Sequence, residues 1–176
     1  MKTFLQGFAV GTLVLILLAV FFLETGRFEI RADVVPSTFV SHFLDIATHA
    51  SVRRQAPALQ NPLGDDEQKL IAGGKVYMTE CSGCHGEPGK PSEFGATFYP
   101  PVPQLAQTPT RYSEAQMVWI EKHGVRRSGM AAADPSDSDV EYWRLAAFIN
   151  HLSQLSPHVL ETIKAPQNSS QPDVKK

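Results

Sequence analysis

The chain has almost no cysteine: two in 176 residues, Cys81 and Cys84. A tetrahedral zinc site wants four protein ligands, and there is neither a second cysteine pair nor an H-x₃₋₅-H to complete one. A bridge between the two cysteines would close only a tiny loop and stabilise little. The βαβ pattern that would make them a thioredoxin-type redox pair is missing as well. Charge of one sign is also lacking. Sixteen Lys and Arg against eighteen Asp and Glu leave a net of −2, so nothing points to nucleic acid or another polyanion. The length suits one domain with appendages.

What is present is Cys81-Ser82-Gly83-Cys84-His85. C-x-x-C-H is the attachment signature of a c-type haem. In this reading both thiols add across the porphyrin vinyl groups as thioethers, and His85 ligates the iron from the proximal side. The spacing puts both sulfurs and the imidazole on one edge of the macrocycle. One covalent haem c, with its iron, is the cofactor expected.

The apolar residues are unevenly distributed. Phe4 to Leu23 carries no charge, follows Lys2 and precedes Glu24 and Arg27. A run of about 20 apolar residues is what a helix needs to cross the hydrocarbon core. The alternative is a cleaved signal peptide. Ala19-Val20-Phe21-Phe22-Leu23 offers no small-x-small cleavage site, and no cysteine is available for a lipoprotein anchor. Residues 1–24 are therefore expected to be a single-pass signal-anchor. Covalent haem attachment occurs on the outer side of the bacterial inner membrane, so the bulk of the chain is expected in the periplasm.

Residues 25–64 read as a juxtamembrane extension. Pro36-Ser37 opens a helix to about Arg54, with Phe39, Phe43, Ile46 or Ala47, and Ala50 on one face. That face can pack on the following domain, lie at the membrane surface or meet a partner subunit. His42 and His49 share a face two turns apart and read as a polar rim. Gln55 to Gly64 is punctuated as a linker.

Residues 65–155 read as the haem domain. Asp65, Asp66 and Glu67 start a helix on which Leu70, Gly73, Gly74, Tyr77 and Cys81 share a face. Two glycines inside a helix need a reason, which close approach of another helix supplies; Gly74 can equally be merely tolerated. Tyr99-Pro-Pro-Val-Pro103 is loop composition. A carbonyl in Pro100-Pro101 is a candidate acceptor for the free N–H of His85, and a plain turn is the other reading. Ser113 with Gln116 and Ser138 with Glu141 are capping boxes, opening helices to about His123 and Leu152.

The sixth iron ligand decides electron transfer against chemistry. Met117 reads as helix core, His123 sits at a helix C-terminus, and His151 and His158 lie at or beyond the last helix. Met130, in a loop after Gly129, is assigned, with His123 or an open position as the alternatives. No acid or base is evident near the distal loop, which weighs against a peroxidase or reductase.

Residues 65–155 resemble the small single-haem cytochrome c fold. Gly73-x₃-Tyr77-x₃-Cys81-x-x-Cys84-His85 is similar to that family's first helix and attachment site. Pro100-Pro101-x-Pro-x-Leu105 is similar to its proline loop, and Gly124-x₄-Gly129-Met130 to its distal-ligand loop. The resemblance implies that the C-terminal helix crosses the first at Gly73, with Leu145 and Phe148 meeting it, and that Pro101 and Leu105 line the haem. The family's aromatic after the distal methionine is replaced by Ala131-Ala132-Ala133.

The expectation is thus an all-α chain: a transmembrane helix, an amphipathic linker helix and a cytochrome c-like domain. Residues 156–176 are expected to be a disordered tail. The function expected is electron transfer by a membrane-tethered carrier or a subunit of a respiratory complex, with redox proteins as partners. A haem enzyme or gas-ligand sensor with an open distal position is the alternative.

Overall fold

The computed structural model describes residues 1–27, 30–31 and 34–165. Among them the architecture is all-α, with no strand beyond an isolated bridge between Glu87 and Lys90. Contacts divide the chain into two compact units, residues 1–34 and 35–176.

The first unit is helix α1, Lys2–Glu24, which coincides with the apolar run. It is long and apolar enough to cross a membrane, with a mean hydropathy of 2.4 and no buried residue. Within it the Thr12 hydroxyl donates to the Phe8 carbonyl, and just past its end Thr25 donates to that of Phe21.

The second unit begins with α2, Thr38–Gln55, capped by the Ser37 hydroxyl on the Val40 N–H. α3, Glu67–Val76, starts under the Asp66 carboxylate and passes through a π-helical turn, Tyr77–Cys81, into the short α4, Ser82–His85. α5, Glu114–His123, and α6, Asp139–His151, each carry the full reciprocal capping box expected at Ser113 and Ser138. α5 stops at Gly124, whose φ of 63° lies in the left-handed region. α2 is not a separate appendage. It docks on α5 and on the segment leading into it: Val52 is fully buried, the His49 ring packs at a tilt on Tyr112, and Arg111 pairs with Asp45.

The core is the crossing of α3 and α6. Leu145, Ala146, Phe148 and Ile149 of α6 are buried there, with Tyr77 beneath them. Gly73 faces the α6 backbone so closely that a Cβ would overlap the Arg144 carbonyl oxygen and lie 3.0 Å from the Leu145 nitrogen. Gly74 is required too: a Cβ there would come within 2.7 Å of the Phe148 ring and of Ile163 Cγ2.

Ile163 belongs to an element that the composition did not suggest. Residues 157–164 form α7, Pro157–Lys164, with Ser156 as N-cap and Val159 and Ile163 buried. This corrects the expected disordered tail as far as Lys164. Two apolar residues a turn apart, capped by Ser156 and begun by proline, give a short chain enough buried surface to hold a helix. The rest of the expected tail, residues 166–176, lies outside the described residues.

A side chain cannot be added at Gly73 without forcing the two helices apart. Gly73→Ala is expected to lower the unfolding free energy by about 1–3 kcal/mol. Gly83→Ala, where a Cβ meets open space, is expected to change it by no more than about 1 kcal/mol. Denaturant titration of the two variants checks the contrast, and equal effects would refute the close-approach argument.

Candidate functional site

The C-x-x-C-H segment is delivered by the end of α3 and held by side chains from three directions. Tyr77, fully buried against Phe148 at 5.3 Å between ring centres, donates its hydroxyl to the Gly86 carbonyl at 2.7 Å. Burial pushes the Tyr77 phenol up, so it remains a donor. Gln104 donates to the Cys84 carbonyl at 3.1 Å and accepts from the Ser92 N–H at 2.7 Å. Ser92 in turn donates its hydroxyl to the Gly83 carbonyl. Gly95 lies flush against Cys84, where any side chain would overlap its carbonyl.

His85 is oriented by one bond. Its Nδ1 lies 2.8 Å from the Pro103 carbonyl, and because a carbonyl only accepts, Nδ1 carries the proton. The acceptor is thus Pro103, not Pro100 or Pro101 as the sequence suggested. The bond leaves Nε2 with its lone pair and no partner among the described residues. Burial lowers the imidazole pKa, while the Pro103 carbonyl works weakly against it, so the ring is held neutral. In the same loop Pro101 is exposed and Leu105 is half-buried against the core.

Both cysteines are free thiols. Burial pushes Cys81 up to about 12, with the Glu121, Glu80 and Cys84 charges adding to it. Among the described residues no cluster of three or more His, Cys, Asp or Glu is placed to hold a metal ion.

Met130 sits where the loop after α5 turns back. Its carbonyl accepts from the Val125 N–H at 2.9 Å and its own N–H donates to the Ser128 hydroxyl at 3.1 Å. The turn needs Arg127 at φ 61° and places Gly129 against the Phe98 ring. Met130 and Cys81 line one crevice of about 250 Å³ with Tyr142, Leu145 and Glu121. Cys84 and His85 are not on its walls.

The competing ligands are engaged elsewhere. Met117 is buried, its sulfur 3.6 Å from the Thr110 hydroxyl, and His123 packs at a tilt against Trp119, 4.8 Å between ring centres. His151 lies 2.8 Å from the Ala147 carbonyl and 3.2 Å from Asp65, and His158 pairs with Glu67 at 2.5 Å. His42 is exposed, while His49 packs at a tilt on Tyr112.

The sequence reading missed two contributors. Gln104 reads as an ordinary loop glutamine; only the fold shows it bridging the attachment segment to Ser92. Glu121 corrects the expectation that no acid stands near the distal loop. It is 6% exposed, both carboxyl oxygens lack a partner among the described residues, and burial raises its pKa to about 8. Its position beside Ile120 on the inner face of α5 was the available signal, hidden because Lys122 and His123 follow it as an apparently solvated end.

Residues 68–149, just under half of the chain, match the model of the family described as cytochrome C oxidase, cbb3-type, subunit III. No curated protein and no solved structure matches significantly.

The Glu121 carboxyl makes a pH prediction. Its folded pKa of about 8 lies above the ordinary 4.5, so between these values the folded chain keeps a proton that the unfolded chain has lost. Its contribution to stability is complete below the lower value and is lost as pH rises through the upper one. Stability is expected to fall across this window by up to about 1.4 kcal/mol per pH unit. Glu121→Gln is expected to flatten the profile, as read by denaturant midpoints from pH 5 to 8; an equally steep decline in the variant would exclude Glu121 as its source.

Proposed function

We propose, from the premise that residues 68–149 are a c-type cytochrome domain, that this chain transfers electrons through one covalently bound haem c ligated by His85 and Met130. We read α1 as anchoring it, with the haem domain on the periplasmic side of a bacterial inner membrane. The observation that carries the reading is the Nδ1–H bond from His85 to the Pro103 carbonyl, which aims a neutral imidazole's free Nε2 from within C-x-x-C-H.

The donor set fits the group. Two free thiols three residues apart stand on backbone that Tyr77, Gln104 and Ser92 hold in place. When bound, haem c supplies a one-electron couple between Fe(III) and Fe(II). Cys81 and Cys84 would tether it as thioethers. His85 and Met130 would ligate the iron, and a soft neutral thioether would favour the reduced state. Pro101 and Leu105 would line the group from the proline loop, while Tyr142 and Leu145, which share a crevice with Met130, would keep water from it there.

With His85 and Met130 both ligating, no position would be left for a substrate, and the chain would act as a carrier or as a subunit of a respiratory complex. Its partners are other redox proteins. A tether through α1 raises the effective concentration of the haem domain at membrane-bound donors and acceptors.

Met130→Ala is expected to keep the haem covalently attached, to lose the sulfur-to-iron band at the red end of the oxidised spectrum, and to bind carbon monoxide readily when reduced. The parent protein is expected to resist carbon monoxide. Rapid, tight binding by the parent would make it a ligand sensor or an enzyme with an open position; retention of the red band in the variant would remove Met130 as the ligand.

A further inference from the structure

The amphipathicity of α2 is turned outward. The side that faces α5 carries Asp45, His49 and Val52, and the side that faces away carries Phe39, Phe43 and Ile46, which are 78, 61 and 53% exposed. These three fall at i, i+4 and i+7, one stripe of the helix, continued by the exposed Ala50. Phe39 and Phe43 stack on each other at 6.5 Å between ring centres, giving a continuous aromatic surface. Val40 and Leu44 widen the patch. Water would select the opposite arrangement, so the stripe is shaped for an apolar neighbour.

The surrounding charge says which neighbour. Asp45 is the sole Asp or Glu in α2, and it is occupied by Arg111. Arg53 and Arg54 close the C-terminal end of the stripe. An apolar face bordered by cations, with its acid neutralised, complements an anionic lipid surface. The stripe offers on the order of 500 Å², short of the roughly 800 Å² per partner of a standard protein interface. Residues 25–37 are the whole connection between α1 and α2, and 13 residues reach at most about 45 Å. A second weak contact on so short a tether needs little affinity of its own.

We propose that the Phe39–Phe43–Ile46 face of α2 lies in the headgroup region of an anionic bilayer, a second membrane contact that fixes how the haem domain stands over the surface. This rests on the reading of α1 as an anchor and of the haem as attached through both cysteines.

The full-length holoprotein is reconstituted in nanodiscs of phosphatidylcholine and phosphatidylglycerol. Single substitutions Phe43→Cys, Ile46→Cys, Val14→Cys in α1 and Glu161→Cys in α7 are labelled with a benzophenone maleimide, illuminated and weighed. Lipid adducts are expected at positions 43, 46 and 14 and not at 161. Replacing Arg53 and Arg54 by Ala is expected to lower the yield at 43 several-fold, leaving the yield at 14 unchanged. Adducts to a second chain at 43 and 46, or none there while position 14 captures lipid, would overturn the proposal and leave the anchor standing. Lipid capture at 43 and 46 without capture at 14 would overturn the anchor, and with it the claim of a second contact, leaving α2 as the membrane contact. Labelling by three reagents per chain instead of one would overturn the thioether attachment alone, since mass then assigns each adduct to its site by digestion.

Discussion

The rest of this structure depends on two helices meeting with nothing between them. At Gly73 the backbone of α3 rests on that of α6, and the contact is so close that even a methyl group would strike the Arg144 carbonyl. That approach lets Phe148 reach Tyr77, and Tyr77 then reaches down to the carbonyl of Gly86, just past His85. The path from a pair of glycines to the attachment segment is thus continuous packing and one buried hydrogen bond. The surface ion pairs contribute little beside it, since exposed pairs are typically worth under about 1 kcal/mol.

A similar logic runs through the loop from 92 to 104. Apart from one 3₁₀ turn at Gly95–Thr97 it has no regular structure, and proline removes several of its donors. Its order comes from the attachment segment itself: Ser92 and Gln104 take the carbonyls that a four-residue helix leaves unsatisfied, and Pro103 takes the imidazole proton. The loop and the segment are therefore one unit. Each supplies the hydrogen-bond partners the other lacks.

Much of this was legible in the residues. The capping boxes at Ser113 and Ser138 mark helix starts because each satisfies local donors with local side chains, and both formed as read. C-x-x-C-H announces its chemistry by spacing alone. What escaped depended on distant partners. Pro100-Pro101 and Pro103 look alike as acceptors until the fold decides which carbonyl meets Nδ1. α7 hides in a polar, proline-containing stretch because its helicity comes from burying Val159 and Ile163, the latter over Gly74. Glu121 looks like a surface residue because burying a carboxyl without a partner opposes its own solvation, which no local pattern records.

The π-helical turn at Tyr77–Cys81 has a consequence for the phase of the chain. A π turn holds about one residue more than the α-helical turn it replaces. Every residue after it is thereby rotated by roughly 100° from where an unbroken α3 would have carried it. Gly73 and Tyr77 read the α6 side of the molecule, whereas His85 comes out in the altered phase, its Nδ1 on the Pro103 carbonyl. The bulge works as a gear step: a helix whose one face is committed to packing can still turn its last residues toward a different task.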